Sequence, residues 1–439
     1  MPHVFPRHSQ NSLPTVSSGS GVYLFDTNGK RYIDGSCGAA TSCLGHSDAA
    51  VVAAIKEQLN HVAYAHTSFF TADSTEQLAD RLIEHAPAGI EKVYFVSGGS
   101  EAVEASLKLA RQFFIEKGEP SRKHVIARRQ SYHGNTLGAL AVGGNRARRE
   151  AFAPLLMETT HIGPCYEYRE RHDGETSFDY GQRVANELAT EIERLGAENV
   201  MAFMAEPVVG ATLGAVPAVE GYFTRIREIC NDSGVLLILD EVMCGMGRTG
   251  SLFACEQEDI VPDIITIAKG LGAGYQPIGA MLCTAEIYQT IADGSGFFQH
   301  GHTYMGHATA CAAGLAVLNR LIDGDLITQS QQLGESLQAA LTDAFGQHPN
   351  VGDIRGRGLF RGLELVADRE TKTPFATEQK IHQKIKAAAF DAGLICYPNG
   401  GSVDGKRGDH VLLAPPFIVN EQHIEEIVTK LSIAFKAVL

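Results

Sequence analysis

Between residues 90 and 285 the chain repeats one unit. A short apolar run of strand length is followed by a longer stretch with helical spacing. The runs lie at 93–96, 124–127, 200–205, 235–239, 264–267 and 280–283. Runs this short and this continuously apolar suit strands buried on both faces, and the helices between them predict a mainly parallel sheet covered on both sides. The fold class expected is therefore α/β. In sheets of this kind ligands bind at the carboxyl ends of the strands, so the residue that closes each apolar run carries most of the information.

Two of the charged residues that close these runs are an aspartate and a lysine. Asp240 ends Leu236-Leu-Ile-Leu239, and Lys269 follows Ile264-Ile-Thr-Ile-Ala268, 29 residues later. An amine and a carboxylate at neighbouring strand exits match a cofactor with an aldehyde and a basic ring nitrogen. The lysine forms a Schiff base with the first, and the aspartate keeps the second protonated. Partial burial beside another cation lowers a lysine's pKa and makes it nucleophilic.

Three more strand exits carry polar groups. Ser97-Gly-Gly-Ser-Glu-Ala102 opens a helix directly after a strand. Glycines there let the backbone approach an anion, and the first-turn amides offer free N–H groups. By itself the motif reads equally as a tight turn with a Ser N-cap. Tyr132, in Ser131-Tyr-His-Gly134, can stack on a flat heterocycle, or be a core tyrosine with His133 capping. Glu206, in Glu206-Pro-Val-Val-Gly210, ends an apolar strand and needs a cation or a polar site if buried. His300, His302 and His307 have neither a Cys partner nor an H-E-x-x-H frame, so no metal site is expected; Thr303 between them is a hydroxyl donor.

Composition narrows the function. The formal charge is −14, from 37 basic and 51 acidic residues, which disfavours nucleic-acid binding. The one basic cluster, Arg146 to Arg149, reads as a solvated helix or loop. Nine scattered cysteines form no C-x-x-C pair, so a reducing cytosol is expected. No apolar run reaches membrane-span length, and residues 1–20 lack a signal-peptide core, reading instead as a polar arm.

The ends of the chain read differently from its middle. Residues 21–34 predict a hairpin with a type I′ turn at Asn28-Gly29. A helix is expected near 48–60 with Val51, Val52, Ile55 and Leu59 on one face, and another over 100–114 with Val103, Leu107, Ala110 and Phe114 along one stripe. Residues 160–178 read as an irregular surface excursion. Beyond 325, helices at 329–346 and 377–392 alternate with strands near 358–366, 394–397 and 411–414, and a last helix starts at an Asn420 N-cap. The division expected is an arm and hairpin over 1–50, a large domain over 51–325 and a small domain over 326–439.

With these residues in place, the chain resembles the class III aminotransferases, the ω-aminotransferase family of fold-type I pyridoxal-phosphate enzymes. Leu239-Asp-Glu-Val-Met-Cys-Gly-Met-Gly-Arg-Thr-Gly250 followed by Ala268-Lys-Gly270 carries the likeness most specifically. The resemblance implies a large domain with a central, mainly parallel sheet and a smaller α+β domain built from both termini. It implies pyridoxal 5'-phosphate bound to Lys269, with Asp240 on the ring nitrogen and Val242 and Tyr132 on opposite ring faces. His133 stands beside Tyr132, Gly99 and Ser100 bind the phosphate, and Glu206 lies near the substrate or a gating arginine. Thr303 reaches the phosphate in a neighbouring subunit, which implies a homodimer with shared sites and leaves a tetramer open. Asn135 stands where relatives acting on 4-aminobutyrate or ornithine often carry arginine. Arg407, ahead of Leu412-Leu-Ala-Pro-Pro-Phe417, is similar in placement to the mobile arginine of amine:pyruvate transaminases, and Arg361 is a weaker candidate for the same carboxylate. The loop from Cys37 to Gly45, Cys43 included, is expected to line the substrate pocket. The activity implied is ping-pong transfer of an amino group from an amine or ω-amino acid to a keto acid such as pyruvate, in the cytoplasm. An aminomutase, epimerase, decarboxylase or phospho-lyase on the same scaffold is the alternative.

Overall fold

The computed structural model describes residues 3–9 and 12–439. At its centre is a seven-stranded sheet. Its strands run in the order Ile90–Val96, Gly279–Thr284, Ile264–Ile267, Leu236–Asp240, Val200–Ala205, His124–Arg128 and Thr160–Ile162. Only Gly279–Thr284 runs against its neighbours; the pairings from Ile264–Ile267 to Thr160–Ile162 are all parallel. The strands are apolar throughout because both faces are covered. Leu237, Leu239, Ile265, Ile267 and Phe203 point into one core cluster, while Leu236, Ile238, Ile264, Ala202 and Met204 point into the other. This two-residue alternation divides one hydrophobic run between two helical layers. The helix Gly99–Glu116 covers the second face, with Val103, Leu107, Ala110 and Phe114 all buried.

A smaller lobe joins the two ends of the chain. Val16–Ser20, Tyr23–Asp26 and Arg31–Asp34 form a sheet that Leu394–Ile395 extends by parallel pairing with Ile33 and Asp34. A second, antiparallel sheet has the order Val351–Arg357, Phe360–Leu365, Asp409–Leu413, Tyr397–Gly400. The last helix, Glu421–Val438, is capped by Asn420, whose side chain accepts from the His423 N–H at 3.0 Å, and it buries Ile424, Ile427, Leu431 and Phe435.

Several local expectations need correction. The hairpin turn is not type I′. Asn28 keeps a negative φ, Gly29 alone is left-handed (φ +80°), and Asp26 Oδ1 accepts from the Asn28 and Lys30 N–H groups. A side-chain acceptor has replaced the mirror-image turn. Residues 16–20 are a strand rather than part of an arm. The stretch 160–178 is not irregular: it supplies the edge strand Thr160–Ile162, buries Cys165 and Tyr166, and enters the helix Ser177–Leu195. Three-residue edge strands carry too little pattern to be seen in sequence. In the helix Ala49–His61 only Val51 is buried, and Leu59 is 53 % exposed. The strand Val351–Arg357 had no apolar alternation to announce it.

Candidate active site

The parallel strands end at one edge of the large sheet, and the polar residue after each apolar run meets the others there. The cleft between them measures about 420 Å³ and is walled by Ser97 to Ser100, Tyr132 to Gly134, Glu206, Asp240, Val242, Met243, Ala268 and Lys269. The register explains the convergence. Asp240 pairs with Thr266 in the next strand, three residues short of Lys269. Gly279 pairs with Val96, which sets the reversed strand's start beside the Ser97–Ser100 turn.

Asp240 is 3 % exposed and fully engaged. His133 Nδ1–H donates to its Oδ2 at 2.7 Å, and its Oδ1 accepts from the Val242 N–H at 3.0 Å and from the Thr266 hydroxyl at 3.3 Å. His133 is itself buried, and its Nε2 has no partner among the described residues. The histidine therefore fixes the carboxylate's orientation, a finer role than standing beside Tyr132.

Lys269 closes the floor. Its Nζ donates to the Ala39 carbonyl at 3.1 Å. Burial lowers its pKa from the ordinary value, opposed by the nearby carboxylates of Asp240 and Glu206 and reinforced by the charge of Arg148. Its backbone is left-handed (φ +45°), a conformation uncommon for a long side chain and costing about 1–3 kcal/mol. Strain of that kind concentrates where a side chain must be aimed.

Glu206 is 4 % exposed, and burial raises its pKa. Of the two partners expected for it, a cation or a polar site, the structure supplies the polar site, with no ion pair to it among the described residues. Its two oxygens accept from the Tyr132 N–H at 3.0 Å and the Gly210 N–H at 3.1 Å. It thus ties the Tyr132 loop to its own strand exit.

The opposite wall is open to an anion. Gly98 caps the helix Gly99–Glu116 without any side-chain bond, so the Ser-cap reading fails and the first-turn amides stay free. Ser100 Oγ accepts from the Asn135 N–H at 3.0 Å and donates to Asn135 Oδ1 at 2.8 Å. Asn135 is therefore committed to holding Ser100. A methyl group at Gly99 would lie 2.7 Å from Val242 Cγ1, so only glycine lets Val242 face the cleft from below.

Other nominated residues lie elsewhere. Arg407 is exposed, and its Nε donates to Asp404 at 2.7 Å within a loop that folds back on itself. Arg361 is buried, donating to Gln338 and to the Gly356 carbonyl. Cys43 is buried behind the cleft, its thiol toward the Gly270 carbonyl at 3.6 Å; Thr41 is the member of that loop that reaches the cleft. Thr303 is exposed and outside this cleft, its carbonyl accepting from Tyr64. Arg146 to Arg149 do form a short helix, yet Arg148 is half-buried, its guanidinium 4.6 Å from the centre of the Tyr132 ring. Gln276, Pro277 and Ile278, which follow the glycine-dense Gly270–Gly274 segment, also line the cleft and had no sequence signal beyond that glycine density.

In the motif after Asp240, Arg248 proves structural. It is buried and donates to the Leu359 and Pro415 carbonyls at 3.1 and 2.6 Å. The neighbouring Glu241 is buried too, accepting from the Cys255 N–H at 2.8 Å and from the Ala254 N–H at 2.5 Å; burial pushes its pKa up to about 7. No group of three or more metal-ligating side chains occurs among the described residues.

The cleft suits a flat, phosphorylated heterocycle: free amides at one end, an oriented carboxylate below, an aromatic wall and an amine at the floor. The family description "Aminotransferase class-III" matches residues 4–435. An uncharacterized aminotransferase of Schizosaccharomyces pombe is 45 % identical over 435 residues, covering 98 % of this chain and 94 % of that protein. Among solved structures, a thermostable (S)-enantioselective ω-transaminase from Thermomicrobium roseum superposes with a TM-score of 0.93 at 35 % identity, covering 100 % of this chain and 96 % of the other. The ω-transaminase of Pseudomonas jessenii in complex with PMP does so with a TM-score of 0.93 at 33 % identity over the same shares. Class III aminotransferases use pyridoxal phosphate, and their structural neighbours here have the fold-type I architecture. On sequence and on structure, this chain belongs to the class III aminotransferases.

Proposed function

We propose that this enzyme carries pyridoxal 5'-phosphate on Lys269 and moves an amino group from an amine or ω-amino acid to a keto acid such as pyruvate, in ping-pong order. The observation that carries the reading is the facing of Lys269 Nζ and the His133–Asp240 pair across a cleft whose far end is an uncapped helix N-terminus. When bound, the cofactor supplies an aldehyde that condenses with amines and a protonated ring that acidifies the adjoining carbon.

The chain's residues do the rest. Asp240, aimed by His133, Val242 and Thr266, holds the proton on the ring nitrogen. Val242 and Tyr132 clamp the ring from its two faces. The amides of Gly99 and its neighbours, with Ser100, bind the phosphate. Lys269 takes the proton from the nitrogen-bearing carbon of the donor and returns one to the acceptor in the second half, and its lowered pKa suits it to both. Glu206 keeps the Tyr132 loop in register. Thr303 serves the phosphate of a second subunit, making the working unit a homodimer, two of which can pair as a tetramer. Exposed Phe69, Phe70 and Tyr304 near that segment favour such a contact. No helix among the described residues is long and apolar enough to cross a membrane. All nine cysteines are free and buried, which fits a cytoplasmic setting.

Borohydride reduction followed by peptide mapping tests the core of this reading: the reduced adduct belongs on Lys269, and finding it on another residue, or on none, overturns it. Single half-reactions then separate transamination from the other chemistries of this scaffold. An amine donor alone leaves stoichiometric aminated cofactor if the enzyme is a transaminase, whereas a lyase, mutase or epimerase turns over one substrate without leaving any.

A further inference from the structure

Among the described residues the Lys269 amine has one hydrogen-bond partner, and it comes from the other end of the chain: the Ala39 carbonyl, 3.1 Å away and 230 residues earlier. A turn of unfavourable shape delivers that carbonyl. Cys37 (φ +50°), Gly38 (φ +66°) and Ala40 (φ +62°) are all left-handed, and Gly38 combines its φ with a ψ of −91°, where residues with a side chain are rarely found. Backbone of this kind costs free energy and persists only where its surroundings over-determine it.

The surroundings do so here. Asp34 is buried and accepts through Oδ1 from the Ser36 and Gly38 N–H groups at 3.3 and 3.4 Å, while its Oδ2 lies 3.1 Å from His46 Nε2. The Cys37 thiol, also buried, donates to the Ser42 carbonyl at 3.1 Å and so ties the two ends of the turn together. It also accepts from Arg248 Nη2 at 3.6 Å, and Arg248 is itself fixed on the Leu359 and Pro415 carbonyls. The strained segment presents two things to the cleft: the Ala39 carbonyl at Lys269 and Thr41 in the wall.

We propose that the Cys37–Ala40 turn is a positioning device for Lys269: its Ala39 carbonyl holds the amine at the cleft floor whenever the amine is free, ready to take and return its proton. This rests on the reading of Lys269 as the proton carrier. A lysine stem is long and flexible, and holding it in one place costs entropy. The left-handed backbone of Lys269 fixes one end of the stem, and the carbonyl fixes the other. A carbonyl acceptor also favours the ammonium over the neutral amine, so the contact governs how readily Lys269 gives up its proton. The charged groups that face the amine besides are Asp240, Glu206 and Arg148.

Gly38→Ala is the sharpest probe. A methyl group at Gly38 would meet nothing within 4 Å, so this substitution acts through backbone conformation alone. Gly29→Ala is the matched control: Gly29 is also left-handed (φ +80°) with equally open space, in the hairpin between Tyr23–Asp26 and Arg31–Asp34. Both variants should melt slightly lower, by similar amounts. The full-chain enzyme is brought to its aminated form with an amine donor, which leaves Lys269 free. Competitive acetylation read by mass spectrometry then gives the pKa of Lys269, and stopped-flow mixing with pyruvate gives the rate of the second half-reaction. Gly38→Ala should lower that pKa by about 0.5–1 unit, the loss of one hydrogen bond to the charged form, and slow the half-reaction about 3- to 10-fold. Gly29→Ala should change neither. Cys37→Ala, which unties the turn, should move both readings in the same direction, and Cys37→Ser, which keeps a donor for the Ser42 carbonyl, should move them less. A Gly38→Ala enzyme with the pKa within about 0.2 unit and the rate within about twofold of the unsubstituted enzyme would overturn the proposal. If Gly38→Ala does not fold, the Cys37 pair decides by the same two readings. An unsubstituted enzyme with no borohydride adduct on Lys269 would remove the proton-carrier reading instead.

Discussion

The floor of the cleft and its rim are built by different means. At the floor, Asp240 and Lys269 leave adjacent parallel strands, so ladder register determines their separation. His133, Val242 and Thr266 then remove the remaining freedom of the carboxylate. Around the rim, Arg148, Arg407 and Thr303 sit on loops or a single helical turn outside the cleft lining, where only packing between loops places them. On the proposed function, the chemistry common to many substrates sits on the rigid part. A sheet edge keeps its geometry under substitution, whereas a loop is repositioned by one glycine or one ion pair.

Substitutions should therefore fall off in effect from floor to rim. On the proposed function, Lys269→Ala removes both the attachment point and the proton carrier. Transamination should drop by about 10²–10⁴-fold or more, with loss of the borohydride-trapped peptide. Retained turnover would break the contrast at its strongest point. Asp240→Asn keeps the shape but loses the charge. A fall in kcat of about 10- to 100-fold is expected, the equivalent of one charged hydrogen bond worth about 1.5–3 kcal/mol, and single-turnover kinetics would read it.

Beneath the floor, Glu241 predicts a pH effect on stability. Burial raises its folded pKa from 4.5 to about 7. The folded state therefore binds its proton more tightly than the unfolded chain does. That contribution is complete below the unfolded value and is lost as pH rises through the folded one, up to about 3 kcal/mol in all. Chemical denaturation between pH 4.5 and 8 should show this decline in the natural protein and a flatter line in Glu241→Gln. Identical slopes would mean that the two backbone N–H donors keep the carboxylate ionised. Smallest of all, Arg407→Gln should alter stability by no more than about 0.5 kcal/mol, since an exposed pair with Asp404 is screened by solvent. A large rise in the pyruvate KM for this variant would return Arg407 to the site.

The sequence by itself determined the strand-and-helix alternation, the shared edge of the strands, and the identity of the groups gathered there. These follow from periodicity and from the rarity of a lysine or aspartate directly after a buried apolar run. Tertiary structure alone decided the partners. Glu206 called for a cation or a polar site, and two amides supply the second, one from the distant Tyr132 loop and one four residues further along its own chain segment. Asn135 spends its side chain on Ser100, Arg248 bolts together segments more than a hundred residues apart, and Cys43 turns away while Thr41 turns inward. Arg148 and Arg407 are chemically alike and both flanked by small or basic residues. Only the fold leaves one without a carboxylate beside an aromatic wall and gives the other Asp404 three residues away. Periodicity reports which face of an element is buried; it carries no information on which loop will come to rest against it.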